Sequence, residues 1–143
     1  MEHQAPYPAN FGQRLSWSLL SLRLGVFIVM FIWTLDKFMN PGHSVVIFQK
    51  FYSMDASTSI IYLLGVAQLI LVVAFLAGVA KRYTYGLILL MHLGSTLASF
   101  NQYLDPFKHL LFFAAWPMLG ACLTLYLLRE FDTKWTLSRA KNV

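Results

Sequence analysis

LSWSLLSLRLGVFIVMFIWTL, residues 15–35, is an apolar stretch interrupted by a single charge, Arg23. A helix needs about 20 apolar residues to cross the roughly 30 Å hydrocarbon core of a bilayer. The stretch therefore predicts a membrane-spanning helix. It is too long for the apolar core of a cleavable signal peptide, and the preceding MEHQAPYPAN lacks the basic residues that such a peptide carries.

Three further stretches have the length and composition of membrane spans: residues 60–80, 83–103 and 110–128. None of them alternates polar and apolar residues with a period of two, so a membrane β-barrel is a poor interpretation. Helices then remain as the way to satisfy the backbone in lipid. We expect an all-α, polytopic membrane protein: one transmembrane domain over residues 1–143, folded as an antiparallel four-helix bundle. Pro117 should kink the last span.

The composition excludes a soluble globular domain and a disordered chain. Hydrophobic residues make up 58% of the 143 residues and charged residues 12%, whereas soluble domains carry about 25% charged residues. Disorder requires low hydrophobicity and high charge. The single cysteine, Cys122, excludes an internal disulfide. The bilayer itself is therefore the first expected partner.

The basic residues predict how the chain is oriented. Seven Lys and Arg side chains lie before the first span, between spans two and three, and in the tail 129–143, against three in the loop 36–59 and the third connection. Because Lys and Arg concentrate in cytoplasmic segments, both termini should be cytoplasmic and the loop 36–59 should face outward. We expect a multi-pass protein of the bacterial inner (cytoplasmic) membrane. The basic residues flank spans instead of forming one patch, so we expect no nucleic acid partner.

Three polar residues lie deep in the predicted spans: Arg23, Gln68 and His92. A charged residue near mid-bilayer costs at least about 2.5–3.5 kcal/mol on insertion scales, so such side chains should face the bundle interior. With alternating helix directions the three fall at similar depths, which predicts one internal polar site. Such a site could bind a quinone headgroup or relay protons. The alternatives are that Arg23 snorkels to the headgroups and that Gln68 and His92 only hydrogen-bond between helices.

A second polar group is expected at the outer face, where Asp36, His43, Asp105 and His109 are residue types that could ligate a metal together. Their spacing matches no metal-binding signature, and a solvated loop rim is the alternative interpretation. A haem held by two histidines is not expected. Such a haem needs two imidazoles at the same depth, whereas His92 is mid-membrane and His109 lies at the outer margin.

The sequence contains no nucleophile–base pair, phosphate loop or CxxC motif from which an enzyme could be derived. Four short motifs do suggest a family: Leu22-Arg23-Leu24-Gly25, Leu35-Asp36-Lys37-Phe38, Gly65 with Gln68-Leu69, and Lys134-Trp135-Thr136-Leu137-Ser138. In these motifs the chain resembles the DoxX/DoxD family of small four-helix integral membrane proteins. Gln68 stands where the family usually has Glu, which removes an ionisable carboxylate.

The resemblance implies a subunit or partner in quinone-linked membrane redox chemistry, since one branch of the family supplies a membrane subunit of a thiosulfate:quinone oxidoreductase. Partners would then be other membrane or redox subunits, or further copies of this chain. Two other functions remain open. The first is a non-catalytic scaffold or assembly subunit of a larger complex. The second is a transporter of a small solute or metal that uses the outer His and Asp residues.

Overall fold

The chain folds into helices connected by short turns in a computed structural model that describes residues 7–138. Within that range there is no β-strand. The elements are α1 (Phe11–Met39), α2 (Pro41–Tyr52), α3 (Thr58–Leu76), α4 (Lys81–Ala98), α5 (Phe100–Tyr103), a 3₁₀ helix (Leu110–Ala114) and α6 (Ala115–Leu127). The predicted all-α class is confirmed.

Three helical segments are long and apolar enough to cross a membrane: Phe11–Met39, Thr58–Leu76 and Leu110–Leu127. They correspond to the spans predicted at residues 15–35, 60–80 and 110–128. The third predicted span, 83–103, is occupied by α4 and α5. α4 starts with Lys81 and Arg82 and carries His92 at depth, so it is less apolar than the other three.

The four long helices pack in a ring. α1 contacts α3 and α6, and α4 contacts the same two helices, while α2 lies against α1 and α3. Each of the four long helices supplies residues to the buried apolar core. Its members are Leu19, Val26, Met30, Val72, Phe75, Tyr85, Ile88, Cys122 and Leu125.

The connection between the first two predicted spans is largely helical. Residues 36–59 were predicted as an outer loop, but α1 continues to Met39 and α2 fills Pro41–Tyr52. Pro41 causes the break, because a residue before proline is disfavoured in the α conformation, and Asn40 accordingly has φ −134° and ψ 61°. Ser53 ends α2 in the left-handed conformation, with φ 52°.

The last predicted span begins with a 3₁₀ turn, and the α-helix starts only at Ala115. Pro117 is the reason that we infer, because proline has no N–H and its ring clashes with the carbonyl four residues earlier, here Phe113. A tighter turn before the proline avoids that clash. The predicted kink is therefore a change of helix type at the start of the segment.

The turn between α3 and α4 is covered by the C-terminal segment, which we call the tail latch (residues 129–138). Gly78 has φ +62°, and a Cβ at this position would lie 2.6 Å from Thr136 Cγ2. The backbone N–H of Leu137 donates to the Ala77 carbonyl at 2.8 Å. Near the start of α1, Ser16 Oγ lies 3.5 Å from the Phe131 carbonyl oxygen. The start of α1, the α3–α4 turn and the tail latch thus share one end of the ring.

Replacing Gly78 by alanine should destabilise the protein. The left-handed backbone costs an L-residue about 1–2 kcal/mol, and the added methyl group would also displace Thr136. Gly94→Ala is the matched control, because Gly94 lies inside α4 and a Cβ there meets nothing within 4 Å. Thermal unfolding in detergent should show a lowered Tm for Gly78→Ala alone. Equal Tm values for the two variants would contradict the fitted turn.

Candidate functional site

Arg23 is fully buried, with 1% of its side chain exposed, and lies in an ion pair. Its Nη1 lies 3.2 Å from Oδ2 of Asp132, which is itself 0% exposed. Nη1 also lies 3.3 Å from the Tyr85 hydroxyl oxygen, and that hydroxyl donates to the same Asp132 oxygen at 2.6 Å. Lys81 Nζ donates to the Asp132 backbone carbonyl. We call Arg23, Lys81, Tyr85 and Asp132 the end cluster.

The end cluster joins α1, α4 and the tail latch. Arg23 Nη2 donates to the backbone carbonyl of Lys134, so the latch supplies both a carboxylate and a carbonyl to one guanidinium. A buried ion pair offsets its desolvation cost only when further hydrogen bonds complete it. Tyr85 and the Lys134 carbonyl provide such bonds. Within the described residues, Arg23 Nε and Asp132 Oδ1 remain without a hydrogen-bond partner.

Arg23 does not join the other two residues predicted to share its site. Gln68 lies eight residues before the end of α3, roughly 12 Å along the helix axis from the turn that the end cluster supports. His92 lies seven residues beyond Tyr85 on α4, which is roughly 10 Å. The physical reason is the tail carboxylate, which attracts the guanidinium toward the end of the ring.

His92 is 1% exposed and lies in the wall of a cavity of about 520 Å³, which we call the His92 cavity. Its Nε2 donates to the Ala115 carbonyl oxygen at 2.9 Å, and a carbonyl can only accept, so Nε2 carries the proton. Nδ1 is buried and has no partner among the described residues. The indole of Trp33 lies 6.1 Å from the imidazole, between ring centroids.

Gln68 lines a second cavity of about 540 Å³, the Gln68 cavity. The residue is 7% exposed, and its amide has no hydrogen-bond partner within residues 7–138. Aromatic rings from α2 form much of the wall, among them Phe48 and Phe51, while Lys37 lies at one side. The two cavities adjoin, since both are lined by Trp33, Ser95, Ser99 and Phe112.

The four candidate metal ligands separate into different contacts. His43 Nδ1 lies 2.7 Å from Asp36 Oδ2, whereas Asp105 pairs with Lys108 at 2.7 Å. His109 packs edge-on against Phe112. In the part of the chain that the structure describes, no three His, Cys, Asp or Glu side chains gather around a common point. Asp36 and His43 are thus the two candidate ligands that contact each other, and the four-residue metal site stays a prediction from the sequence.

Two residues of the end cluster were missed by the sequence analysis, Asp132 and Tyr85. Asp132 lies in a tail that was predicted only as a cytoplasmic segment, and 109 residues separate it from Arg23. One signal could have found it. The tail latch carries two of the chain's six acidic residues, Glu130 and Asp132, and a buried arginine requires a carboxylate at the same end of the bundle.

No family model, no curated protein and no solved structure matches the chain. The resemblance to the DoxX/DoxD family therefore stays a prediction from the sequence.

Asp132→Ala should be strongly destabilising, because it leaves the Arg23 charge buried without its counter-ion. Loss of one partner from a buried pair costs about 3–5 kcal/mol. Glu130→Ala is the control, since that carboxylate is 70% exposed and only borders Arg129 at 3.5 Å. Such surface pairs contribute about 0–1 kcal/mol. Thermal unfolding in detergent distinguishes the two variants.

The double variant Arg23→Met with Asp132→Leu removes both charges together. It should be less destabilised than the sum of its two single variants, because neither charge is left alone. Strictly additive losses would contradict the ion pair.

Proposed function

We propose that the chain is a DoxX-like protein of the bacterial inner membrane that takes part in quinone-linked redox chemistry as a subunit or partner. α1, α3, α4 and the 3₁₀–α6 segment would form a four-helix transmembrane bundle. Three of these segments have the length and composition of spans. In a membrane, α4 would be the fourth, because it lies in the same ring and contacts both α3 and α6.

The distribution of charge supports the proposed orientation. Arg14, Lys81, Arg82, Arg129 and Lys134 gather at the end of the ring that carries the tail latch. Positively charged residues concentrate on the cytoplasmic side, so we place this end in the cytoplasm. Two further basic residues that entered the prediction, Arg139 and Lys141, lie outside the described residues.

The observation that carries the proposal is the Gln68 amide, which borders an aromatic cavity and makes no hydrogen bond within residues 7–138. A ligand carbonyl that accepts a hydrogen bond from the amide N–H would contribute about 0.5–1.5 kcal/mol to binding. Planar rings such as those of Phe48 and Phe51 favour offset stacking on a flat, conjugated ring. A quinone head offers both features, a carbonyl oxygen and a flat ring.

In this proposal the chain binds and orients the quinone, and a partner subunit supplies or removes the electrons. Gln68 would donate to a quinone oxygen. Lys37, whose Nζ donates to the Trp33 carbonyl at 3.2 Å, would add positive charge near the same cavity. Arg23 has no part in binding here, because the tail latch occupies its guanidinium.

A non-catalytic scaffold is the second candidate function. The end cluster favours this candidate, because the buried charge of Arg23 is neutralised by a structural ion pair with Asp132. A scaffold would be recovered from native membranes with a larger complex, yet its purified form would bind no quinone.

Gln68→Leu should lower the affinity for a short-tailed benzoquinone by about five- to tenfold, the cost of one neutral hydrogen bond. Gln49→Leu is the matched control, because Gln49 is exposed on α2 and does not line the cavity. Quenching of Trp33 fluorescence by the quinone gives the affinity, with Trp33→Phe identifying the signal. Equal affinities for the two glutamine variants would exclude Gln68 from the site.

The proposed orientation can be tested by labelling single cysteines. In a Cys122→Ala background, Arg82→Cys should react with a membrane-impermeant maleimide only in inverted vesicles. Gln49→Cys should react only in right-side-out vesicles or spheroplasts. The opposite pattern would place the tail latch outside.

A further inference from the structure

The two adjoining cavities differ in the chemistry of their walls. The Gln68 cavity is lined by aromatic rings, an amide and charged side chains. The walls of the His92 cavity are mostly aliphatic, with Leu22, Val26, Val29, Ala121 and Met118 among them. Trp33 and Phe112 stand at the boundary, since each lines both cavities. One half therefore suits a polar ring, and the other suits a hydrocarbon.

The His92 cavity opens at the surface of the ring between α1 and the 3₁₀ helix. Ser21, Gly25, Leu111 and Ala114 line it, and all four are exposed. In a bilayer this opening faces lipid acyl chains. A ligand dissolved in the membrane could reach the cavity sideways, without passing through water.

Gly25 keeps the opening wide. A Cβ at this position would meet nothing within 4 Å, so the space in front of it is free of protein atoms. Any larger side chain at residue 25 would project from the wall of α1 into or across the cavity mouth. The same is not expected of Gly94, which also has free space around its Cβ but lines neither cavity.

We infer that the two cavities bind one ligand together: a quinone with a long isoprenoid tail, its head in the Gln68 cavity and the first part of its tail in the His92 cavity. The inference rests on the proposed function and adds the substrate class. The tail passes Trp33 and leaves the ring at Gly25 into the bilayer. Since a tail in lipid is already in an apolar medium, its contribution comes from close packing with the cavity wall instead of the hydrophobic effect.

The test compares a tail-less benzoquinone with the same ring carrying a two-isoprene tail, in nanodiscs of one lipid composition. In the wild-type chain the tail should raise the affinity by about fivefold through packing. Gly25→Phe should abolish that gain and leave the affinity for the tail-less ring unchanged. Gly94→Phe should keep the wild-type gain, which controls for the effect of an added aromatic ring on partitioning.

Each outcome distinguishes the inference from the function on which it rests. If neither quinone binds the wild-type chain, both the proposed function and the inference fail. If the tail-less ring binds but the tail adds nothing, or if Gly25→Phe keeps the gain, the inference alone is overturned.

A second variant covers the case in which Gly25→Phe does not fold. Ala121→Phe narrows the same cavity from α6 and should also remove the gain from the tail. As a further readout, a photoreactive diazirine at the end of the two-isoprene tail should label residues around Leu111 and Met118. Labelling confined to α2 would place the tail in the other cavity and overturn the inference.

Discussion

The ion pair between Arg23 and Asp132 constrains the rest of the structure. A guanidinium cannot be left unneutralised among apolar helices, because the desolvation penalty is several kcal/mol even after relaxation. The chain meets this constraint by folding its own C-terminal segment under the ring, where Asp132 becomes fully buried. The glycine at the α3–α4 turn follows from the same requirement, since only a residue without a side chain leaves room for Thr136 beside Arg23.

Closing one end in this way leaves the opposite half of the ring free to hold open space. The end cluster and the Gln68 cavity occupy different levels of the same helices, so one half stabilises the fold and the other offers room for a ligand. At about the level of Gln68, His92 is held to α6 through the Ala115 carbonyl. Small residues such as Gly25 and Ser95 line the His92 cavity and leave its space unfilled.

Much of the fold follows from patterns within single segments, and the site follows from them only in part. Apolar length predicts the helices around Arg23, Gln68 and Pro117, because the bilayer imposes that length locally. The pairing of Arg23 with Asp132 depends on contacts across 109 residues, which a reading of one sequence cannot place. Depth alone suggested that three polar side chains meet. Depth counted from Cα positions ignores the length of the arginine side chain. The Arg23 side chain extends to the tail latch and therefore does not contact Gln68 or His92.

The central functional claim is that a quinone ring binds in the Gln68 cavity. Its most direct test is photoaffinity labelling with an azido-quinone followed by mass spectrometry of the purified protein. We predict that the azido ring labels the segments that line the Gln68 cavity, Phe48–Tyr52 on α2 and the neighbourhood of Gln68 on α3, and that excess unlabelled quinone prevents it. Labelling spread over exposed residues of the helices, unchanged by excess quinone, would contradict the account.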